Sequence, residues 1–116
     1  KDFKDLDVWE KSHSFVEDIY QISGSFPEDE KFGLTSQIKR SAVSIPSNIA
    51  EGCGRSTDSD FARFLQIAMG SASECQYQIY LANDLGYLSA QDYEKLNQEI
   101  IEIKKMLSSF LGTLDS

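Results

Sequence analysis

Few side chains in this sequence could do chemistry near neutral pH. His13 is the only histidine, and Cys53 and Cys75 are the only cysteines, without the CxxC spacing of a redox or metal motif. An ordinary histidine pKa lies near 6.5, so His13 is the one candidate for a general base or a phospho-accepting residue. No Ser/His/Asp order around it is persuasive. We therefore interpret His13 as a surface or interface histidine beside Trp9 and Tyr20, and keep a phosphotransfer module as the alternative.

The patterns that bind metals, phosphates and nucleotides are absent from the sequence. A zinc site needs several Cys or His ligands at workable spacing, and a di-iron bundle needs two Glu-x-x-His pairs. A phosphate-binding loop needs G-x-x-x-x-G-K-[ST], which is also missing. We interpret Cys53 as an ordinary thiol and both cysteines as reduced, with a disulfide as the alternative. The expectation is a protein without metal, cofactor or enzyme activity.

A polar stripe on the second predicted helix is the strongest candidate for a binding site. Between Gly33 and Gly54, apolar side chains fall on one side at 3.6 residues per turn. The other side carries Gln37, Arg40, Ser44, Asn48, Glu51 and Arg55. Either this stripe lines a groove or pore that meets a ligand or RNA, or it is a hydrogen-bond network that fixes helix or subunit register. The predicted nucleic-acid or partner site consists of Arg40, Ser44, Asn48, Glu51, Arg55 and Arg63.

Four amphipathic segments predict the elements that position these residues. In each one, apolar side chains recur at spacings of three and four, which is typical of a bundle helix. The predicted helices cover roughly residues 8–25, 30–53, 58–85 and 90–112, although the second could also begin near residue 28 or near residue 35. Pro46 inside the second helix predicts a bend. The short connections indicate an all-α fold, a single-domain antiparallel up-down four-helix bundle over residues 1–116.

Two further stripes predict contacts between copies of the chain. A second apolar stripe lies beside the core stripe of the first helix, and small residues lie opposite the core stripe of the third. Gly70 costs up to about 1 kcal/mol in helix propensity, which favours a packing reason for it. The predicted oligomer interface consists of Trp9, Val16, Tyr20, Gly70, Ser73 and Tyr77. For Trp9, a cap over the bundle end is the alternative.

The charge is strongly acidic and unevenly spread. The chain of 116 residues has a formal net charge of −8, made up of −6 in residues 1–30, +2 in residues 31–66 and −4 in residues 67–116. An acidic chain repels nucleic acid at long range, so such binding would need the middle segment, oligomeric clustering or a basic partner. No apolar run approaches the roughly 20 residues that span a bilayer, and no signal peptide is visible. We expect a cytoplasmic protein.

One set of residues, spread over nearly the whole chain, carries a resemblance to a known family. The matching residues are Asp5-Leu6, Val8-Trp9, Lys11-Ser12, Phe26-Pro27, Gly33-Leu34, Gln37, Arg40, Ser44 to Gly52, Phe64-Leu65, Ala68, Gly70-Ser71 and Glu74, and the most specific part is the run SIPSNIAEG. In these residues the sequence resembles the four-helix-bundle proteins encoded in intervening sequences of bacterial 23S ribosomal RNA genes. This resemblance implies a small antiparallel bundle, a barrel-shaped homopentamer and no established enzyme activity. The family is similar to the accessory variability determinant proteins of diversity-generating retroelements, which are basic, whereas this chain is acidic.

The leading prediction is a non-enzymatic scaffold that forms homo-oligomers. Its predicted partners are other copies of the chain and, in addition, RNA or a nucleic-acid-binding protein. The alternative is a protein–protein interaction module that binds a basic partner and does not contact nucleic acid.

Overall fold

Four long helices form most of the chain. The computed structural model describes residues 2–114. The helices are α1 (Asp7–Ser23), α2 (Leu34–Cys53), α3 (Asp58–Asp84) and α4 (Ala90–Leu114). Two short 3-10 turns, Phe3–Asp5 and Glu28–Glu30, precede α1 and α2.

The helices pack as an antiparallel up-down bundle, which confirms the predicted fold class. Each helix packs against its neighbours in the chain, and α1 also packs against α4, while the described parts of α1 and α3 lie diagonally opposite. The bundle measures 43 × 23 × 20 Å. None of the helices within residues 2–114 combines the length and the hydropathy that crossing a bilayer requires.

The core is made by the side chains that recur at spacings of three and four. Each fully buried large side chain contributes roughly 1.5–3 kcal/mol through removal of apolar surface from water. The largest are Phe15, Ile19, Ile38, Ile45, Ile49, Leu65, Ile79, Leu96, Ile100, Ile103 and Leu107. They come from all four helices, so one continuous core holds the bundle together.

The helix ends differ from the predicted ones where side chains or tight turns decide them. α1 ends at Ser23 rather than at residue 25, because the amides of Ser25 and Phe26 turn back to carbonyls three residues earlier. α2 begins at Leu34, close to the predicted alternative start near residue 35 and not at residue 28 or 30, because Glu30 Oε1 accepts the Leu34 N–H at 3.0 Å and so caps the helix there. α4 continues beyond residue 112 to Leu114.

The starts of α3 and α4 agree with their capping residues. The Asp60 N–H donates to Thr57 Oγ1 at 3.1 Å, and the Asp92 N–H donates to Ser89 Oγ at 3.0 Å. Between α3 and α4, Gly86 has a φ of +79°, a left-handed conformation that favours glycine. α2 continues through the buried Pro46 without interruption.

Candidate interaction surfaces

The polar residues in the middle of α2 form a link to α3. Ser44 Oγ lies 2.8 Å from Ser71 Oγ, and the Asn48 amide donates to the Ser44 carbonyl at 2.7 Å and to Ser44 Oγ at 2.9 Å. All three residues are half-buried. The Ser44–Asn48 part of the predicted site therefore acts between helices of one chain, as the hydrogen-bond-network interpretation expects.

A second polar link crosses the same two helices. The Ser41 hydroxyl donates to Gln78 Oε1 at 2.6 Å, and the Gln78 amide donates to Glu74 Oε2 at 3.2 Å. Ser41 and Gln78 are both only 4% exposed. Buried polar groups need partners, so the two links together fix how α2 and α3 lie against each other. The site predicted from the sequence did not include Ser41, Ser71 or Gln78, because their bonds depend on how α2 and α3 lie against each other.

The charged members of the predicted site lie at the turn between α2 and α3. Arg55 donates to Glu51 Oε2 at 2.9 Å, and Arg63 donates to Asp60 Oδ1 at 3.3 Å. Both guanidinium groups also lie over the ring of Phe64, at 4.7 and 4.5 Å from its centre. Cations over an aromatic face are held electrostatically. The result is an arginine pair with an aromatic centre whose charge is already neutralised by two carboxylates.

Arg40 is separate from both groups. Its side chain is exposed on α2, and it forms no ion pair within residues 2–114. The six predicted residues therefore form a serine–asparagine link, a paired arginine cluster and one arginine that shares no hydrogen bond or ion pair with either group in the described chain.

An apolar groove lies on the outside of α1 and α2. Trp9 stacks on His13 with ring centres 5.0 Å apart and planes 6° apart, and the Phe3 and Trp9 rings are tilted by 60° with centres 4.8 Å apart. This α1/α2 groove has a volume of about 370 Å³ and is lined by Phe3, Trp9, His13, Val16, Val43, Pro46, Ser47 and Ala50. Tyr20 is not part of its lining. That ring is about half exposed and lies under Lys39 Nζ at 4.9 Å.

The outward side of α3 is open. This α3 outer face consists of Gln66, Gly70, Ser73, Tyr77, Tyr80 and Asp84, all of them exposed. Tyr77 and Tyr80 are 62% and 56% exposed, and a Cβ built on Gly70 would meet no atom within 4 Å. The sequence predicted a close packing neighbour for Gly70. None of the described residues of this chain provides one.

The candidate nucleophiles and the candidate base differ in their exposure to solvent. Burial raises the pKa of the Cys75 thiol to about 12, and Cys53 is also buried. His13 is exposed, with Glu17 Oε2 at 4.0 Å from its Nε2. Within residues 2–114, no group of three or more His, Cys, Asp or Glu side chains is arranged to hold a metal ion.

The fold and these surfaces define a small antiparallel four-helix bundle with polar links between its second and third helices and two open faces. The model of the 23S rRNA-intervening sequence protein family matches residues 4–109, and the chain belongs to this family. The resemblance that rested on the SIPSNIAEG run is thereby confirmed.

A solved structure is similar over almost the whole chain. It is a crystal structure of a protein of unknown function from the S23 ribosomal protein family, from Bacteroides thetaiotaomicron VPI-5482. The two chains are 32% identical, the alignment covers 90% of this chain and 95% of that one, and the TM-score is 0.84. Among the curated proteins, none matches the sequence.

Proposed function

We propose that this chain is a non-enzymatic scaffold that assembles with copies of itself and is associated with RNA or a ribonucleoprotein. The observation that carries the assembly is the presence of two different open faces. The α1/α2 groove is apolar, while the α3 outer face offers two exposed tyrosines beside a glycine and a serine. Contact between two different faces of neighbouring copies generates a ring when the rotation closes. Five subunits is the number that the family resemblance implies.

The arginines of α2 and α3 support the association with RNA. Arg40 is exposed without an ion pair in the described chain, and Arg55 and Arg63 lie together over Phe64. Guanidinium groups suit phosphate because they present several donors in a plane. The family's description refers to 23S rRNA, and the similar solved structure is assigned to a ribosomal protein family.

A second candidate function is binding of a basic protein without contact to nucleic acid. The ion pairs favour it, since RNA phosphates would have to compete with Glu51 for Arg55 and with Asp60 for Arg63. The net charge of −8 also favours a basic partner over a polyanion.

The absence of catalysis is part of the proposal. The Cys75 thiol, with a pKa of about 12, is protonated at neutral pH, and thiolate is the reactive form. His13 is exposed on α1, with Trp9 as its aromatic neighbour and Glu17 as its nearby carboxylate, whereas both cysteines are buried. If the wild type catalysed a reaction that a His13→Ala variant did not, the proposal that the protein is not an enzyme would be overturned.

The test is binding of purified protein to structured RNA at two salt concentrations, with the native mass measured on the same samples. We expect an oligomer whose RNA affinity falls steeply with salt, and a triple variant Arg40→Glu, Arg55→Glu, Arg63→Glu that no longer binds. Each lost phosphate contact lowers the slope of log affinity against log salt by roughly 0.7–0.9. Lys31→Glu, Lys104→Glu, Lys105→Glu is the matched control, since it makes the same charge change elsewhere.

The outcomes separate the two candidate functions. An intact oligomer that does not bind RNA overturns the RNA association and leaves the basic protein partner. Equal loss of binding in the two triple variants removes the arginines as the site and leaves only a general charge effect.

A further inference from the structure

A long groove runs between the beginning of α1 and the second half of α4. One hollow of about 630 Å³ has an apolar floor that includes Leu6, Val8, Met106 and Phe110. A second hollow of about 370 Å³ continues from it, since both are lined by Asp7 and Met106. We call the two together the α1/α4 groove. The residues from 102 to 113 along its α4 side rise about 17 Å, which is three turns of helix.

The rim of this groove is acidic. It carries the carboxylates of Asp5, Asp7, Glu10 and Glu102 against the ammonium groups of Lys11 and Lys105, an excess of two negative charges. Lys11 Nζ lies 3.6 Å from Glu102 Oε2 and so neutralises that carboxylate. Asp5, Asp7 and Glu10 form no ion pair within residues 2–114, and Asp5 and Asp7 are exposed beside the apolar floor.

The groove on the other side of α4 has a rim of the opposite charge. This α3/α4 groove, of about 360 Å³, also has an apolar floor, which includes Met69 and Ile101. Its charged lining residues are Lys104 and Lys105, and no carboxylate lines it. The two grooves therefore have similar floors but would select partners of opposite charge.

Charge and shape together select one kind of occupant for the α1/α4 groove. Two helices side by side accept a third amphipathic helix, whose apolar face lies on the floor. The unpaired carboxylates attract basic side chains at the edge of that face and repel RNA phosphates. A second copy of this chain fits poorly, because the core-forming side chains of its four helices are already buried in its own bundle.

We propose that the α1/α4 groove binds a basic amphipathic helix of a partner protein, with apolar side chains on Met106 and the floor around it and Lys or Arg side chains on Asp5, Asp7 and Glu10. This helix would belong to the partner of the proposed scaffold, and the binding rests on that proposed function only for its biological setting. The groove is complete within one chain, so binding does not depend on assembly.

The test uses a labelled synthetic helix of about four turns built from Leu on one face and Lys on the other. Its control has Glu at every Lys position. We expect the Lys helix to bind the full chain with an affinity that falls with salt, and the Glu helix not to bind. Fluorescence anisotropy measures both, and native mass is recorded on the same samples.

Two matched variants locate the binding. Met106→Gln and Met69→Gln each remove a half-buried methionine, one from the α1/α4 groove and one from the α3/α4 groove. We expect Met106→Gln to weaken binding of the Lys helix about tenfold or more and Met69→Gln to leave it unchanged, since only the first contacts the apolar face. The double variant Asp5→Asn, Asp7→Asn should weaken binding and flatten its salt dependence.

Several results would overturn the proposal. Equal effects of Met106→Gln and Met69→Gln would remove the groove as the binding site, as would equal binding of the Lys and Glu helices. A lower native mass for Met106→Gln alone would mean that a second copy occupies the groove. A wild-type monomer that binds the Lys helix with the expected pattern would support the groove and overturn the self-assembly.

Discussion

Glu30 joins two connections at one end of the bundle. Its Oε1 accepts the Leu34 N–H at 3.0 Å at the start of α2, and its Oε2 accepts the Tyr87 hydroxyl at 2.9 Å from the α3–α4 connection. The backbone N–H, and then the Tyr87 hydroxyl, hold the pKa of Glu30 below its ordinary value. The same hydrogen bond raises the pKa of Tyr87.

This arrangement predicts that the wild type and a Glu30→Gln variant differ in stability at neutral pH but not in strong acid. Because the folded-state pKa of Glu30 is lowered, its contribution is present above the ordinary carboxyl value of about 4.3 and is lost as the pH falls through the folded value. We expect Glu30→Gln to unfold at a lower temperature than the wild type at neutral pH and at the same temperature in strong acid. Tyr87→Phe, which removes one of the two bonds, should show a smaller difference. Thermal unfolding over a pH series measures this, and a constant difference would contradict it.

Glu99 has the opposite environment. Burial raises its pKa, and the neighbouring Asp18 carboxylate acts in the same direction, while Lys95 opposes both. Lys95 Nζ lies 2.9 Å from Asp18 Oδ2 and 3.2 Å from Glu99 Oε2, and these bonds raise its own pKa. Glu99 Oε1 is buried and has no hydrogen-bond partner within residues 2–114. The ionised form of Glu99 is therefore less favourable in the folded chain than in the unfolded one.

Glu99→Gln should consequently stabilise the protein at neutral pH. A raised folded-state pKa gives a contribution that is present below the ordinary carboxyl value and is lost as the pH rises through the folded value. We expect Glu99→Gln to be more stable against unfolding than the wild type at neutral pH. This difference in stability should disappear as the pH is lowered, and Asp18 should remain paired to Lys95. Glu94→Gln on the exposed side of α4 is the control and should change little. A neutral-pH loss of stability in Glu99→Gln alone would contradict the argument.

At the scale of the elements, α2 and α3 are packed tightly near the turn that joins them. A Cβ on Gly52 would lie 2.7 Å from Phe61 Cδ1 and 3.0 Å from the Cβ of Phe64. Contacts this short force side chains or backbone to move, since protein interiors are close-packed. Gly52 therefore has a packing role inside α2, which continues past it and ends at Cys53.

Gly52→Ala and Gly70→Ala should have opposite effects on folding. Overpacking at Gly52 lowers the free energy of unfolding by about 1–3 kcal/mol, and the higher helix propensity of alanine offsets up to about 1 kcal/mol of this loss. At Gly70 a Cβ meets no atom within 4 Å, so the propensity gain of up to about 1 kcal/mol remains. Equilibrium unfolding in urea, at a protein concentration where the chain is monomeric, measures both free energies. A Gly52→Ala variant as stable as Gly70→Ala would contradict this account of the helix contact.

The elements also show which features a sequence can predict. Spacings of three and four placed Ile38, Ile79 and Ile100 in the core, because a buried helix face follows from the helix repeat alone. The start of α2 was not fixed, since it depends on the Glu30 side chain, four residues from the amide that it caps. The Ser44–Ser71 bond joins residues 27 positions apart on different helices, so it requires the register between helices, which a single-chain pattern does not contain.

At the scale of the whole molecule, the proposed ring needs both open faces. If the α1/α2 groove of one copy contacts the α3 outer face of the next, a charge placed in either face should prevent assembly. Val16→Lys places a charge in the groove, and Tyr77→Lys places one on the α3 outer face. Each variant alone should be a monomer, because every contact in the ring uses one face of each kind. Glu94→Lys, which lies outside both faces, places a lysine on the exposed side of α4 as a control and should still assemble.

Mixing the two variants gives a sharper prediction than either variant alone. The intact α3 outer face of Val16→Lys can meet the intact groove of Tyr77→Lys, but the remaining two faces are both blocked. An equimolar mixture should therefore form heterodimers and nothing larger, which native mass spectrometry detects directly from the two subunit masses. An interface that pairs the same face on both copies would instead leave at least one variant dimeric by itself and give no new species on mixing. That result would contradict the ring while leaving the bundle fold and the α1/α4 groove unaffected.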